Sequence, residues 1–228
     1  MNVANIYRKL KQILNDSNAA LVEKKLDNVS NLNKISSEIE KLGKINRLPY
    51  FLQGDVVGLF EEDLEGLTNI SRDYKLSNYK IVSAIIPTSV TSIGLSAFRD
   101  CPSLKSITIP NSVTTIGDWA FMNCSSLTSI TIPDSVTTIG SRSFVNCTNI
   151  RRVSISKNIK SIGDYVFANC DRLEDVYLYS IEPPVIGGIL NFSASAILHV
   201  PIGGGDAYKS ATNWSLLASQ IVEDIEAN

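Results

Sequence analysis

The chain has 228 residues, of which 44% are hydrophobic and 19% charged, and its formal net charge is -2. This balance excludes a generally basic nucleic-acid-binding protein, and the apolar fraction excludes a chain that is disordered throughout. The sequence contains one histidine, His199, which excludes a metal site built on two histidines and acid–base chemistry by a histidine pair.

The N-terminal sequence has no feature of a membrane span or of an export signal. No stretch of the chain reaches the roughly 18 apolar residues that a membrane-spanning helix requires, so we expect no membrane insertion. Residues 1–18, MNVANIYRKLKQILNDSN, interleave apolar residues with charged ones and lack a compact apolar core before a cleavage site. We therefore expect no Sec-dependent export from this start.

Residues 1–43 are predicted to form a helical attachment or oligomerisation module. Apolar residues in two segments fall in steps of three and four, as on one face of a short amphipathic helix. They are Val3, Ile6, Leu10 and Ile13, and then Leu32, Ile35, Ile39 and Leu42. Two interpretations stay open: the helices form an intramolecular cap, or they join chains, with a homotrimer as the expected oligomer. Residues 20–42 resemble helical modules of phage tail proteins, and residues 44–80 are interpreted as a connector and N-terminal cap.

From residue 81 onwards the sequence has a 23-residue period, and residues 81–182 are interpreted as a solenoid. Residues 107–129 and 130–152 are identical at 13 of 23 positions. Three positions recur in four successive repeats: Gly94, Gly117, Gly140 and Gly163; Phe98, Phe121, Phe144 and Phe167; and Cys101, Cys124, Cys147 and Cys170.

Each repeat predicts a short strand followed by a compact turn. The alternation around Ile107 and Ile109 is typical of a strand, which Pro110 ends because proline lacks a backbone donor. Gly117 is expected to permit a turn with positive φ, and residues 118–124 are expected to form a helical turn. Stacked repeats would bury a continuous apolar column under parallel strands about 4.8 Å apart.

The repeat pattern L-x-x-I-x-I-P-x-S-V-T-x-I-G-x-x-A-F-x-x-C is most complete at residues 104–124 and 127–147. It resembles the BspA-type leucine-rich repeat family. The resemblance implies an α/β solenoid of stacked, short parallel strands that serves for binding and display, and not as an enzyme. Residues 198–224 resemble the terminal cap that often follows such repeats, in which a short strand and an amphipathic helix cover the open end of the core, and residues 183–228 are interpreted as the C-terminal cap.

No catalytic, cofactor-binding or metal-binding constellation is predicted. The four cysteines occupy one repeat position, so they should stack in a ladder that neither pairs easily into disulfides nor converges on zinc. We interpret them as buried free thiols, consistent with synthesis in a reducing compartment. The polar residues before them (Asp100, Asn123, Asn146 and Asn169) are expected to satisfy backbone groups of the turns, and His199 is expected to be structural.

Two surfaces are candidates for binding a partner. Ser96, Trp119, Arg142 and Tyr165 occupy one repeat position and are expected to project as a ridge, with the guanidinium of Arg142 between the two aromatic rings. Arginine and aromatic residues are common among the residues that dominate binding energies. The opposite sheet face carries mostly serine and threonine, until Arg151, Arg152 and Tyr177 provide a second candidate.

The leading functional hypothesis is a non-enzymatic, virion-associated component of a bacterial virus, located in the tail, the baseplate or a head fibre. Residues 1–43 would attach it, and the repeats would bind virion proteins or a host surface protein or glycan. The alternatives are a cell-surface or secreted adhesin of the same family, and an intracellular scaffold for protein partners. No nucleic acid or cofactor is expected.

Overall fold

The computed structural model of the chain describes residues 58–59, 64, 66–72, 80–188 and 192–226. The helices predicted within residues 1–43, and most of the connector predicted for residues 44–80, lie outside the described residues. The described part is a solenoid of stacked, short parallel strands, which confirms the fold class expected from the repeat pattern.

Each repeat contributes two short strands that lie on different sides of the solenoid. The strands on the first side are β1 (Gly58–Leu59), β3 (Ser83–Ile85), β5 (Ser106–Thr108), β7 (Ser129–Thr131), β9 (Arg152–Ile155) and β11 (Asp175–Leu178). Those on the second side are β2 (Asn69–Ile70), β4 (Ser92–Ile93), β6 (Thr115–Ile116), β8 (Thr138–Ile139), β10 (Ser161–Ile162) and β12 (Val185–Ile186). The second strand was not predicted, because two residues are too few to show an alternating pattern.

The C-terminal cap extends the first side of the solenoid and then covers its end. Strand β13 (Ile197–Pro201) leads into helix α1 (Gly205–Ser210) and a 3-10 helix (Trp214–Gln220). Strand β14 (Ile221–Ile225), which was not predicted, then pairs in parallel with β13.

Two aromatic side chains bind the cap to the last repeats. The rings of Tyr208 and Trp214 meet edge to face with centroids 5.1 Å apart, and both are buried. The Tyr208 hydroxyl donates to the carbonyl of Ser180 at 2.9 Å, and the Trp214 indole N–H donates to that of Pro184 at 2.7 Å. Both polar groups therefore have partners, and the rings close the apolar column.

The strands form three parallel sheets. The first side contains two successive sheets, ordered β1-β3-β5 and β7-β9-β11-β13-β14, and the second side is one sheet ordered β2-β4-β6-β8-β10-β12. Within the regular repeats, residues 23 positions apart lie opposite each other, as Ser106 does to Ser83. At the ends of the stack the offset differs: it is 25 between β1 and β3, 24 between β10 and β12, and 22 between β11 and β13. The period of the sequence is thus the stacking period of the solenoid.

The third side of each repeat is a run of consecutive turns and not the helical turn that was predicted. The N–H groups of Trp119, Phe121 and Asn123 donate to carbonyls of the next repeat at 2.7 to 3.0 Å. The N–H groups between them donate to the carbonyl three residues earlier in the same repeat. A helix would direct every N–H along its own axis, so it could not make these bonds between repeats.

The repeated glycines are needed for close stacking, and the positive φ predicted at Gly117 is wrong. In the described residues, glycine has a positive φ only at Gly66 and Gly203. A Cβ added to Gly117 would lie 2.8 Å from the carbonyl carbon of Gly94, and one added to Gly140 would lie 2.5 Å from that of Gly117. Because Cβ atoms do not tolerate such distances, glycine allows one repeat to approach the backbone of the previous one.

The core contains a column of stacked phenylalanine rings. Neighbouring centroids lie 5.1 to 5.4 Å apart, and Phe98, Phe121, Phe144 and Phe167 are fully buried. The column ends on Phe192 beyond the regular repeats, and it crosses the centre of the solenoid. Each ring therefore packs against the repeats on both sides of it.

Phe121→Ala should lower the free energy of unfolding by about 3–5 kcal/mol, because it removes a fully buried ring and leaves a cavity between two others. Chemical denaturation monitored by circular dichroism measures this change. Met122→Ala is the neighbouring control and should cost less, since the Met122 side chain is only partly buried. Equal stability of the Phe121→Ala variant and the wild type would contradict a continuous core.

Candidate binding surfaces

Two residues in the turns of each repeat have a left-handed backbone, and they form two columns along the solenoid. Asparagine and aspartate tolerate this conformation, whereas bulky side chains disfavour it. The second column follows that preference, with φ of 59° to 65° at Asp100, Asn123, Asn146 and Asn169. The first column does not follow it, with φ of 53° to 58° at Ser96, Trp119, Arg142 and Tyr165.

The second column is a ladder of side-chain amides. The Nδ2 group of Asn146 donates to Oδ1 of Asn123 at 2.7 Å, and that of Asn169 donates to Oδ1 of Asn146 at 2.8 Å. Asn123 donates in the same way to the carboxylate of Asp100. These side chains bond to one another and not to the backbone of the turns, so the predicted role for them is wrong in this detail. The ladder supports the left-handed backbone at each step.

The first column contains the predicted ridge, but only in part. Ser96 is 5% exposed and does not project, Trp119 is half-buried, and Arg142 and Tyr165 are exposed. The guanidinium carbon of Arg142 lies 5.4 Å from the centroid of the Tyr165 ring. Among the described contacts, the guanidinium lies over the Tyr165 ring and not over that of Trp119. The expected arrangement of Arg142 between two aromatic rings is therefore an arginine–tyrosine pair. We call Trp119, Arg142 and Tyr165 the turn ridge.

The second candidate lies on the outer face of the β7-β9-β11-β13-β14 sheet. Arg152 and Tyr177 point outward from β9 and β11, and the Arg152 guanidinium lies 5.7 Å from the centre of the Tyr177 ring. Arg151 pairs with Glu174, and Arg152 pairs with Asp175 at 3.2 Å. We call Arg151, Arg152 and Tyr177 the sheet patch.

Sequence reasoning missed that His199 belongs to this surface. Its ring stacks on Tyr177 with centroids 4.4 Å apart, on the strand next to β11. Nδ1 lies 2.7 Å from Asp224, and Nε2 lies 3.2 Å from Asp175. A protonated imidazole donates to both carboxylates at once, whereas a neutral ring donates to one. The 23-residue step leads from Ser154 to Tyr177 and then to position 200. The strand register instead places His199 opposite Tyr177, because the step into the cap is one residue shorter. The period of the repeats therefore points one residue past the histidine.

The histidine and its two carboxylates link three strands of the sheet. Asp175 lies on β11, His199 on β13 and Asp224 on β14. Burial raises the pKa of Asp175, but the hydrogen bonds from His199 and Arg152 outweigh it and leave the pKa below its ordinary value. The charges in this network therefore satisfy one another and hold the sheet patch in place, which agrees with the structural role expected of His199.

The four cysteines are buried free thiols, as the sequence predicted. Those of Cys124, Cys147 and Cys170 donate to carbonyl oxygens of the previous repeat, at 3.2 to 3.3 Å. Burial raises the pKa of Cys101 to about 12, and it also raises the pKa of Cys124. Such thiols pack as small apolar groups and present no nucleophile at the surface.

The described residues contain no group of three or more histidine, cysteine, aspartate and glutamate side chains placed to hold a metal ion. Within the same part of the chain, no helix is long and apolar enough to cross a membrane. The candidate binding surfaces described above are the turn ridge and the sheet patch.

The chain belongs to the BspA-type leucine-rich repeat proteins. The family description, a BspA type leucine-rich repeat region, matches six copies over residues 68–183. Such repeats are scaffolds for protein interactions and are typically not enzymes. No curated protein matches the chain at a significant level.

Solved structures of leucine-rich repeat proteins resemble this chain. A leucine-rich repeat protein of T. pallidum is 27% identical over 60% of this chain and 64% of its own, with a TM-score of 0.54. A leucine-rich cell surface protein of Faecalibacterium prausnitzii is 29% identical over 70% of this chain and 44% of its own, with a TM-score of 0.42. The chain thus matches less than two thirds of the length of each.

Arg142→Asn should be more stable than Arg142→Ala by roughly 1 kcal/mol, because asparagine tolerates the left-handed backbone better than alanine does. Both changes remove the contact with Tyr165, so the difference isolates the backbone. Thermal melts of the two variants measure it. At Arg172, an exposed position without a positive φ, the same two changes should differ less. Equal melting temperatures of the two Arg142 variants would contradict backbone strain in the first column.

The stabilising effect of Asp175 should be lost at low pH. Its pKa is lower in the folded chain than in the unfolded chain, so its charge stabilises the fold above the ordinary aspartate pKa of about 3.9. That stability disappears as the pH falls through the lower, folded value. Melts of the wild type and Asp175→Asn should therefore differ more at pH 6 than at pH 3. Asp171→Asn, at an exposed carboxylate, is the control, and a difference that does not change with pH would contradict the linkage.

Proposed function

We propose that this chain is a non-enzymatic adhesion protein that binds a surface protein or glycan through the sheet patch. The observation that carries the proposal is a change in the outer sheet face along the solenoid. The early repeats present Ser106, Thr108, Ser129 and Thr131, whereas the later ones present Arg152, Asp175, Tyr177 and His199.

The later repeats combine the residue types that dominate binding energies with a fixed geometry. Tyr177 is held between the Arg152 guanidinium and the His199 ring. Tyr179, two residues further along the chain, is 43% exposed and lies 6.4 Å from Tyr177 between ring centroids. Because these side chains are already ordered, binding costs little additional conformational entropy. A rigid aromatic surface with an arginine at its side is typical of a protein-binding site.

Aliphatic side chains extend this surface towards the cap. Ile197 on β13 is 42% exposed, and Val222 on β14 is 43% exposed. Val222 lies directly opposite His199 in the strand register. A central aromatic and arginine cluster with apolar residues at its side and charged residues beyond it has the layout of a protein interface.

The repeats themselves supply the substitutions that test the patch. Arg151→Thr, Arg152→Ser and Tyr177→Thr each introduce a residue that the chain carries at the same position of an earlier repeat, at Thr128, Ser129 and Thr131. The triple variant removes the patch and keeps residue types that the fold accepts. Fluorescent beads coated with the full chain should bind intact bacterial and epithelial cells, and flow cytometry counts them.

The triple variant should bind about tenfold fewer beads per cell at limiting coating density, because it removes the arginine and aromatic side chains that would dominate the contact. The matched control is Thr108→Ala with Thr131→Ala on the same face, which should leave attachment unchanged. Equal attachment by the folded triple variant and the wild type would rule out the sheet patch as the adhesive surface.

We further propose that the protein is displayed on the surface of the producing cell, as its family membership favours. The virion hypothesis relied in part on the resemblance of residues 20–42 to helical modules of phage tail proteins, and these residues lie outside the described part of the chain. Antibodies against the full chain should label intact producing cells, whereas labelling confined to purified virus particles would favour the virion instead.

The homotrimer through residues 1–43 is a proposal as well. Sedimentation of the chain with and without these residues tests it.

A further inference from the structure

Arg142 differs from the other arginines of the described repeats in having no acceptor. Of the five arginines within residues 80–188, four have a side-chain oxygen as a partner. Arg99 pairs with Asp100, Arg151 with Glu174 and Arg152 with Asp175, and Arg172 donates to Asn149. No acceptor lies within hydrogen-bond distance of the Arg142 guanidinium among the described residues, and its one described side-chain contact is the Tyr165 ring.

The guanidinium of Arg142 lies over the Tyr165 ring, and its N–H groups have no acceptor among the described residues. A guanidinium carries five N–H donors in a planar fork that matches a carboxylate in two-pronged fashion. We propose that Arg142 receives a carboxylate from a protein partner, so that the turn ridge binds an acidic peptide segment. This site lies on the turns and not on the sheet patch, and it is independent of the adhesive surface proposed above.

The backbone supports this assignment. Trp119, Arg142 and Tyr165 occupy left-handed positions that asparagine fills in the neighbouring column of the same turns. The chain therefore has large side chains in a backbone conformation that, in the second column, it fills with asparagine, for which the conformation is less strained. Strain that persists in this way is characteristic of functional surfaces.

The nearest acidic residues of the turns do not neutralise Arg142. Asp118 accepts a hydrogen bond from the N–H of Ser141 at 2.7 Å. Asp164 has one carboxylate oxygen buried without a hydrogen-bond partner among the described atoms, at the side where Gly187 and Gly188 pass. Both carboxylates are thus directed at the following repeat. Their negative charge weakens long-range attraction, so affinity for an acidic segment must come from direct contact with Arg142 and the rings beside it.

The geometry favours a peptide over a sugar. Sugar rings bind aromatic side chains by lying on an open ring face, but the Tyr165 face towards Arg142 is covered by the guanidinium. Tyr165 is 39% exposed, Arg142 is exposed beside it, and Trp119 is half-buried. Aromatic side chains around an arginine suit a peptide that carries an acidic side chain next to apolar ones.

The test uses a displayed library of random peptides that is selected on the immobilised full chain. The expected result is a set of peptides that share aspartate or glutamate. Labelled copies of these peptides should bind Arg142→Gln at least tenfold more weakly than the wild type, as measured by fluorescence anisotropy. Arg142→Lys keeps the charge but loses the fork, so its affinity should lie between the two.

Arg172→Gln is the matched control, because it removes the same charge from an exposed arginine at another position, and its affinity should equal that of the wild type. Peptides without acidic residues, equal binding by Arg142→Gln, or a library that yields no peptide dependent on Arg142 would each overturn the proposal. A peptide that binds the sheet patch is recognised because the triple sheet-patch variant loses it while Arg142→Gln keeps it. The binding roles proposed for the two surfaces can therefore be disproved independently of each other.

Discussion

The structure depends on hydrogen bonds between neighbouring repeats at a fixed offset. The N–H of Gly140 donates to the carbonyl of Ile116, and that of Phe121 donates to the carbonyl of Ser143, so each repeat is bonded to those before and after it. Because the offset is constant, residues with the same position in the repeat become spatial neighbours. The same side chain must then pack well against itself, and phenylalanine, cysteine and asparagine do so here.

The same offset explains the charges on the surface. A column of identical charges one repeat apart would repel itself, and several charged positions of the stack change sign between neighbouring repeats. Arg151 faces Glu174, Arg152 faces Asp175, and Lys157 lies 3.9 Å from Asp134, each 23 residues apart. These exposed pairs contribute little to stability. They allow residues of opposite charge to lie next to each other on the surface of the stack. Among the five arginines within residues 80–188, Arg142 is the one without a described side-chain acceptor.

The sequence predicted the columns because a column requires only a repeat position and a residue type. The buried phenylalanines and the free cysteines follow from the 23-residue step alone. The reason for the repeated glycines could not be predicted, because the clash at Gly140 is with the backbone of another repeat. The burial of Ser96 was missed as well, since residues that share a repeat position do not share an environment at the ends of the stack. His199 lies beyond the regular repeats, where the period no longer assigns it a neighbour.

The cap therefore does more than close the end of the core. Asp224 on β14 bonds to His199, His199 stacks on Tyr177, and Tyr177 supports the guanidinium of Arg152. Through this sequence of contacts the last strand of the cap orients side chains two and three strands away on the outer face. Among the described residues the turn ridge has no comparable connection, since the one described contact of the Arg142 side chain is with Tyr165. The sheet patch is thus a preorganised surface that depends on the cap, whereas the turn ridge depends on the local backbone of its own repeats. One stack of repeats therefore supports two surfaces with different physical requirements.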